Sequence, residues 1–494
     1  MLVMRLVELL EEIPFYNASA SLEGMQIDSI EMDSRVNSPN SLFVCISGYT
    51  QDGHDFVEQA ISNGAIAIIA EKPVKTNVPV IMVRDTARVM SMLAVRFYQN
   101  PTSELPLIGV TGTNGKTTVT YLLETIFNKN KKKTGVIGTI QMKIGDETYP
   151  VNNTTPDSLS LQRFFSKMLH KEVDQAIMEV SSHALDMGRV HGCEFDVAIF
   201  TNLSQDHLDY HKDIDDYLRA KSLLFAQLGN TYAKHQPKFA VLNEDDPASS
   251  VLKRSTAQNV LTYSCKKEAD VTAKDIRLDA GGTSFTLRTP VGDIEINSKL
   301  IGMFNVYNML AASTAAIAKN IPLAVIKDAL ESITGVNGRF EPVDEKQNYA
   351  VIVDYAHTPD SLENVMQTIK EFAEGKVYVV VGCGGDRDRT KRPLMAGIAL
   401  HYADRAIFTS DNPRTEDPAQ ILKDMTTDLS RNKAEYDVIY DRKEAIEHAI
   451  KLAQKDDIIL IAGKGHETYQ QIGLVKYDFD DREVARHAIK TKGI

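Results

Sequence analysis

The sequence predicts an α/β protein of three domains, and three observations carry that prediction. At 494 residues the chain exceeds what one hydrophobic core usually organises. Gly109 to Thr117 reads G-x-x-G-x-x-G-K-T between the apolar Leu107-Ile108 and a helix-like run from Val119 to Phe127, the strand, turn and helix context of a phosphate-binding loop. The last third repeats apolar strands that end in polar loops, the pattern of an open parallel sheet.

A hydrophobic fraction of 43% with 25% charged residues describes an ordinary globular chain rather than a disordered one. The net charge of -12 argues against a nucleic-acid partner. Cys45, Cys193, Cys265 and Cys383 form no C-x-x-C pair, which suits reduced thiols rather than a disulfide frame. No basic-plus-apolar segment opens the chain and no run of 18 apolar residues occurs, so a cytoplasmic protein without a membrane span is expected.

After an amphipathic opening from Leu2 to Leu10, strands are expected over 41–46, 65–70 and 78–83. A loop through Tyr49 and Thr50 enters a helix around Val57 to Asn63. These make a small N-terminal α/β domain ending near Ser103. Ser34, Arg35 and His54 have the chemistry to bind a phosphorylated ligand, but helix capping and surface ion pairing explain them equally well.

In the central region the glycines let backbone N–H groups curl around a phosphate, Lys116 spans the outer phosphates, and the Thr117 hydroxyl suits Mg2+. A strand over 135–140 follows, then the donor-rich turn Asn152 to Asp157 before a helix from Ser158 to Leu169. The strand Gln175 to Glu179 ends in an acid followed by Ser181-Ser182-His183, where Glu179 would meet magnesium or remain a buried structural carboxylate. Another strand, 197–200, leads into Thr201 to His211. There His207 could hold a second divalent ion with Asp206 or Asp209 orienting it, while helix caps and a hydrogen-bonded histidine fit the same letters. Lys221 lies on an amphipathic helix from Asp216 to Phe225, where exposure, phosphate contact or modification are all compatible. Strands continue to about Ile296, and Gly302 to Asn308 opens a helix from Met309 to Ala318 whose asparagines suit a base or a cap.

Beyond the glycine-punctuated boundary at 335–340, strands at 350–354, 377–381, 406–408 and 457–462 run into polar loops, and helices around 361–373 and 443–453 complete a Rossmann-like domain. Arg387 and Arg414 are suited to clamp carboxylates and Glu467 to meet an ammonium group, which together suggest a charged amino-acid substrate. For Arg387 an interdomain ion pair is the alternative.

Taken together, Asp33-Ser34-Arg35, the 111–117 loop, Asn153-Thr154-Thr155-Pro156, Glu179 to His183, Asn202 to Tyr210 and the C-terminal loops resemble the Mur ligase family, in its MurE-type branch. The resemblance covers essentially the whole chain. It implies a UDP-substrate domain over 1–103, a P-loop ATPase-like domain over 104–337 that binds ATP and Mg2+, and an amino-acid-binding domain over 338–494. It assigns Thr111, Gly112, Thr113, Asn114, Gly115, Lys116, Thr117, Asn305, Arg339 and Asp354 to ATP. Ser34 goes to the uridine nucleotide, and Asn153, Thr154, Thr155, Ser181 and Arg189 to the rest of UDP-N-acetylmuramoyl-L-alanyl-D-glutamate. Thr117, Glu179, His207 and a carbamylated Lys221 are implied for magnesium, and Lys116, Lys221 and His207 for catalysis.

Asp411-Asn412-Pro413-Arg414 resembles the subgroup that adds meso-2,6-diaminopimelate. Arg387 and Arg414 would hold the distal carboxylate, with Gly463 and Glu467 at the distal amine. L-lysine lacks that carboxylate and would leave arginine charge uncompensated. The implied reaction makes an acyl phosphate on the D-glutamate γ-carboxylate at the expense of ATP and then an amide, in a monomer. A lysine-adding ligase, a folylpolyglutamate-type ligase and a noncatalytic ATP-binding module are the alternatives.

Overall fold

Apolar strands followed by helices with a buried stripe favour parallel sheets covered on both faces, and a computed structural model shows three large sheets in succession along the chain, with two small two-stranded ones beside them. It describes residues 3–48, 51–151, 153–232, 237–279, 282–427, 429 and 435–493; Tyr49, Thr50 and Asn152 of the expected loops lie outside these.

In the first region β1 (Asn17–Ala18), β2 (Ser29–Glu31), β3 (Ser41–Val44), β4 (Ala65–Ala70) and β5 (Val80–Met82) form a sheet in the order β1-β5-β4-β3-β2, parallel except for β1. Helix α1 (Thr86–Phe97), capped by Asp85, closes it. The amphipathic opening is no single helix: Met4 and Arg5 pair with Ile27 and Gln26 before a short helix over Leu6–Leu9. That pairing takes the backbone donors and acceptors a longer helix would need.

The central sheet has eleven strands. Its middle is built from β6 (Leu107–Thr111), β7 (Thr134–Ile137), β10 (Gln175–Glu179), β11 (Val197–Phe200), β12 (Phe239–Asn243) and β13 (Asn259–Ser264), flanked by the hairpin β8 (Met142–Ile144) and β9 (Glu147–Tyr149) and by β14 (Val271–Asp279), β15 (Gly282–Thr289) and β16 (Gly292–Ser298). The order is β9-β8-β7-β10-β6-β11-β12-β13-β14-β15-β16. From β7 to β14 neighbouring strands are parallel. Helices α2 (Lys116–Lys129), α3 (Ser158–His170), α4 (Ser182–Asp186), α5 (Ile214–Ala226), α6 (Met303–Ala318) and α7 (Leu323–Ser332) connect or cover these strands.

β6 lies inside the sheet with β10 and β11 on either side, so the loop after it opens where two neighbouring strands also end. Ligands gather at such carboxyl ends. Helix α6 starts at Met303, earlier than its apolar run suggests, which places Asn305 and Asn308 inside the helix and rules out a capping role for them.

The third sheet, β17 (Glu341–Pro342), β18 (Ala350–Asp354), β19 (Val377–Val381), β20 (Arg405–Phe408), β21 (Glu435–Val438) and β22 (Ile458–Ala462), is ordered β17-β18-β22-β19-β20-β21, all parallel but β17. α8 (Pro359–Phe372), α9 (Lys391–Tyr402), α10 (Pro418–Thr426), α11 (Arg442–Leu452) and α12 (Asp481–Lys492) cover it. A hairpin of β23 (Tyr469–Ile472) and β24 (Val475–Asp478) was not evident in the sequence. Among the described residues no helix is long and apolar enough to cross a membrane.

Candidate active site

The loop between β6 and α2 is held by its own chemistry and by the end of β11. Gly112 has φ +149°, and a Cβ there would lie 1.8 Å from the Thr201 hydroxyl; Gly115 has φ +85°, with Asn308 Oδ1 only 2.4 Å from where its Cβ would sit. Glycine alone avoids both conflicts. Thr113 N donates to Asn202 O at 2.8 Å and Asn114 N to Asn202 Oδ1 at 2.9 Å, so Asn202, read only as part of a polar loop, shapes the cradle. Lys116 Nζ donates to the loop carbonyls of Gly112 and Thr113 at 3.0 and 2.8 Å. Burial pushes its pKa down, against the pull of Glu179 and Asp206.

Glu179, at the end of β10, is buried and accepts from the Thr117 hydroxyl at 3.1 Å and from the backbone and hydroxyl of Thr139 at 2.9 Å each. The Thr117 hydroxyl also accepts from Arg339 Nη2 at 3.1 Å, and the Arg339 guanidinium lies over the Tyr355 ring. Thr139 was missed; its signal was the short exit after β7. Thr155 fixes the neighbouring strand end: its hydroxyl donates to Glu179 O at 2.9 Å and accepts from Ser181 N at 3.0 Å, while Arg189 reaches Thr155 O at 3.2 Å. Thr154 meets Thr139 hydroxyl to hydroxyl at 3.0 Å.

Lys221 is 1% exposed, against the solvated reading of its helix, and donates to Gly112 O at 2.9 Å. Burial, reinforced by nearby Lys116 and opposed by Asp206, drives its pKa well below the usual lysine range. His207, at φ +58°, sits beside Asp206 and across from His183. Burial pushes His207 down against the opposing charge of Asp206, and takes His183 down to about 4, so both imidazoles are neutral at pH 7.

These groups line one cavity of about 290 Å3: Gly112 to Thr117, Asn153 to Thr155, Glu179, Ser181, Arg189, His207 and Lys221 from the central domain, with Arg339 and Arg387 from the C-terminal region. Arg387 donates from Nη1 to Asp386 O at 2.9 Å rather than to a carboxylate of another domain among the described residues. A second cavity of about 540 Å3 continues from the loop between α6 and α8, past Asn114, Thr117, Phe304, Asn308, Arg339, Asp354 and Asp360. Asp354 lines it, takes the Phe340 N–H at 2.6 Å, and is raised to about 6 by burial, with Arg339 opposing. Asn305 departs from expectation: its amide donates to Ile301 O at 2.9 Å, and it is Asn308, one turn later, that lines the cavity. Asp360, also missed, accepts from Asn114 Nδ2 at 2.7 Å and Ser204 Oγ at 3.1 Å, tying α8 to the phosphate loop.

At the carboxyl ends of β19, β20 and β22 the other expected residues converge. Arg414, at φ +51°, donates from Nη1 to Gly385 O at 2.7 Å. A Cβ on Gly384 would lie 2.8 Å from Arg414 Nη1 and 3.9 Å from Arg387 Cγ, so both arginines flank that glycine. Pro413 O packs on Gly385, and Gly463 approaches Asp411 so closely that a Cβ would lie 2.6 Å from its Oδ2. Asn412 Nδ2 donates to Glu467 Oε2 at 2.8 Å.

Two N-terminal candidates resolve differently. The buried Ser34 hydroxyl donates to Gln59 Oε1 at 2.7 Å. His54 is a buried structural pin, its ring meeting Asp52 through Nδ1 and accepting Glu71 N at 3.0 Å through Nε2.

No three His, Cys, Asp or Glu side chains gather as a metal cage among the described residues. The oxygen donors Thr117 and Glu179 instead fit a magnesium ion that keeps waters and phosphate oxygens as its other ligands.

Comparison with known proteins agrees with this three-part layout. Family models match over residues 24–98 (Mur ligase family, catalytic domain), 110–316 (Mur ligase middle domain) and 338–465 (Mur ligase, glutamate ligase domain). The chain belongs to the Mur ligase family. Among Mur ligases it is 66% identical over 492 residues to the UDP-N-acetylmuramoyl-L-alanyl-D-glutamate--2,6-diaminopimelate ligase of Oceanobacillus iheyensis, covering 99% of this chain and 100% of that one. It is 53% identical to the enzyme of that name from Listeria innocua over 489 residues, 99% of each chain. A solved structure of a ligase of that name superposes with TM-score 0.68 at 34% identity, covering 98% of this chain and 99% of the other. Mycobacterium tuberculosis folylpolyglutamate synthase shares the fold over 76% of this chain, with TM-score 0.64 at 18% identity.

Proposed function

We propose that this Mur ligase adds meso-2,6-diaminopimelate to UDP-N-acetylmuramoyl-L-alanyl-D-glutamate at the expense of ATP, in the synthesis of peptidoglycan. One observation carries the reading: Arg387 of the third sheet lines the same cavity as Lys116 and Glu179 of the second, so a carboxylate-binding group and a phosphate-binding loop face one reaction space. The extended identity with diaminopimelate ligases supports the choice of amino acid.

In this reading residues 1–103 take the UDP end, with Ser34 at the uridine nucleotide; residues 104–337 bind ATP; and residues 338–494 receive the amino acid. Asn153, Thr154, Thr155, Ser181 and Arg189 hold the peptide-bearing sugar. Thr111 to Thr117, Arg339 and Asp354 hold ATP, with Asn305 supporting Asn308 from behind. Arg387 and Arg414 take the distal carboxylate of diaminopimelate, and Asp411, Asn412, Pro413, Gly463 and Glu467 shape the site of its distal amine.

The D-glutamate γ-carboxylate attacks the γ-phosphorus of ATP, breaking its bond to the bridging oxygen and releasing ADP. The diaminopimelate α-amine then attacks the acyl carbon, forming the amide and releasing phosphate and a proton. Lys116 and the loop N–H groups stabilise charge on the transferring phosphoryl group, and closure of the third domain over the loop excludes water. Magnesium, held by Thr117, Glu179 and the neutral His207, would supply positive charge against the phosphate oxygens. Burial shifts Lys221 toward its uncharged amine, the form that takes up CO2 to make a carbamate, which would add a carboxylate beside Lys116. We take the enzyme to act as a monomer in the cytoplasm, where ATP and the soluble nucleotide substrate are found.

Purified protein supplied with ATP, Mg2+, UDP-N-acetylmuramoyl-L-alanyl-D-glutamate and equal diaminopimelate and L-lysine should give the diaminopimelate amide by mass spectrometry. Oxygen label from the acceptor carboxylate should appear in the released phosphate. A dominant lysine product would overturn the specificity, and unlabelled phosphate the acyl phosphate.

A further inference from the structure

Behind the loops assigned to the amino acid lies a fully buried cation that neither the motifs nor the proposed reaction uses. Lys464 follows β22, has no exposed side-chain surface, and donates from Nζ to Asn412 Oδ1 at 3.0 Å and to Glu467 Oε2 at 2.9 Å. Burying an ammonium group is costly unless its partners are fixed and charged, so the three side chains must be treated as one unit.

The hydrogen bonds determine how that unit is oriented. Lys464 and the Gln471 backbone N–H, which meets Asn412 Oδ1 at 2.9 Å, are donors only, so the Asn412 oxygen faces them and its NH2 faces Glu467. Glu467 Oε2 therefore receives two donors, from Lys464 and Asn412, and the carboxylate is held through that one oxygen. The mount is rigid: Arg442, fully buried, forks onto Asp481 at 2.8 and 2.7 Å and donates to Ala462 O at 2.9 Å, bracing the end of β22. Asp411 is kept ionised in the same wall, burial pushing it up but Lys464 and Arg442 outweighing that.

We propose that Lys464 is a positioning residue for amino-acid specificity: by tying down Asn412 and one oxygen of Glu467, it presents the other Glu467 oxygen as a fixed, charged acceptor for the distal ammonium group of the incoming amino acid. The proposal rests on the amino-acid site assigned above. Lys464 itself touches no substrate. Its loss removes one of the two donors on Glu467 Oε2 and frees the carboxylate to rotate.

The test compares wild type, Lys464→Met and Lys464→Arg with two amino acids, diaminopimelate and 2-aminoheptanedioate, which keeps both carboxylates but lacks the distal amine. For Lys464→Met, KM for diaminopimelate is expected to rise by at least about tenfold, the loss typical of an interaction with a charged group, with KM for ATP and for the UDP substrate unchanged. KM for 2-aminoheptanedioate should stay at the wild-type value, because that ligand makes no use of Glu467. Lys464→Arg, which keeps a charged donor to Asn412 and Glu467, should retain part of the discrimination. Equal losses for both amino acids would assign Lys464 a purely structural role, and no loss for either would overturn the proposal. If Lys464→Met does not fold, Lys464→Gln, which keeps a donor to Asn412 without the charge, is read by the same two outcomes. Turnover of diaminopimelate by the wild type separately tests the functional reading, so its failure is distinguishable from failure of this inference.

Discussion

Removing Asp360 tests whether the third domain is latched onto the phosphate loop. Its carboxylate accepts from Asn114 Nδ2 at 2.7 Å and Ser204 Oγ at 3.1 Å, two bonds that join α8 to the loop and to the segment after β11. Hydrogen bonds to a charged group contribute about 1.5–3 kcal/mol each in favourable settings. Both lie at the edge of a water-accessible cavity, so replacement by water recovers part of this and about 2 kcal/mol for the pair is a fair expectation. That is about 30-fold in the ratio of closed to open forms. Asp360→Ala should therefore lower kcat/KM for ATP by about 10- to 30-fold, while its melting temperature changes little because the lost bonds lie between domains rather than inside a core. Asp360→Asn, which keeps one acceptor oxygen, should fall between. Steady-state kinetics with ATP varied, together with small-angle scattering of the nucleotide-bound protein, checks this. An Asp360→Ala enzyme with wild-type kcat/KM and unchanged scattering would refute the latch.

Other expectations follow from the same geometry. Gly115→Ala places a Cβ 2.4 Å from Asn308 Oδ1 at φ +85°, so ATP affinity measured by calorimetry should fall, and Gly115→Ala/Asn308→Ala, which removes the obstructing amide, should recover part of it. Asp354, raised by burial to about 6 in the folded protein, destabilises the fold where it is forced to ionise; the penalty is absent below about pH 4 and fully present above about pH 6. Asp354→Asn should therefore unfold at a higher temperature than wild type at pH 8, an advantage that vanishes as the pH falls to 4, while its ATP affinity drops. Lys116→Met should cost at least about a hundredfold in kcat without altering melting, since it removes charge stabilisation at the transferring phosphoryl group. Stripping CO2 and bicarbonate should lower activity reversibly if Lys221, its pKa lowered by burial, is carbamylated, and a carbamate carbon signal from labelled bicarbonate should be absent in Lys221→Met.

Much of the architecture was legible in the sequence because its signals are local. The phosphate loop needs glycine at positive φ, a lysine and a hydroxyl at fixed spacing, and Gly112, Gly115, Lys116 and Thr117 supply them within six residues. Strands that end in Glu179, Asp354 and Glu467-bearing loops were visible as apolar runs giving way to polar residues. Helix α6 was placed late because Asn305 and Asn308 read as helix-opening residues, whereas both are buried where α6 packs beside the loop.

What the sequence alone determined, then, was each element and the chemistry it carries at its end. What only the tertiary structure decided was which ends meet. Asn202 and Thr139 lie far along the chain from the groups they hold, Lys221 exchanges an expected solvated face for a carbonyl of Gly112, and Asp360 reaches Asn114 across 246 residues. The left-handed backbone of Arg414 carries no local signature, since arginine rarely adopts that conformation. Such pairings are set by strand order and by burial, which lower the pKa of a lysine or lock a carboxylate by one oxygen. Both depend on what surrounds the group in space, and residue spacing along the chain does not encode that.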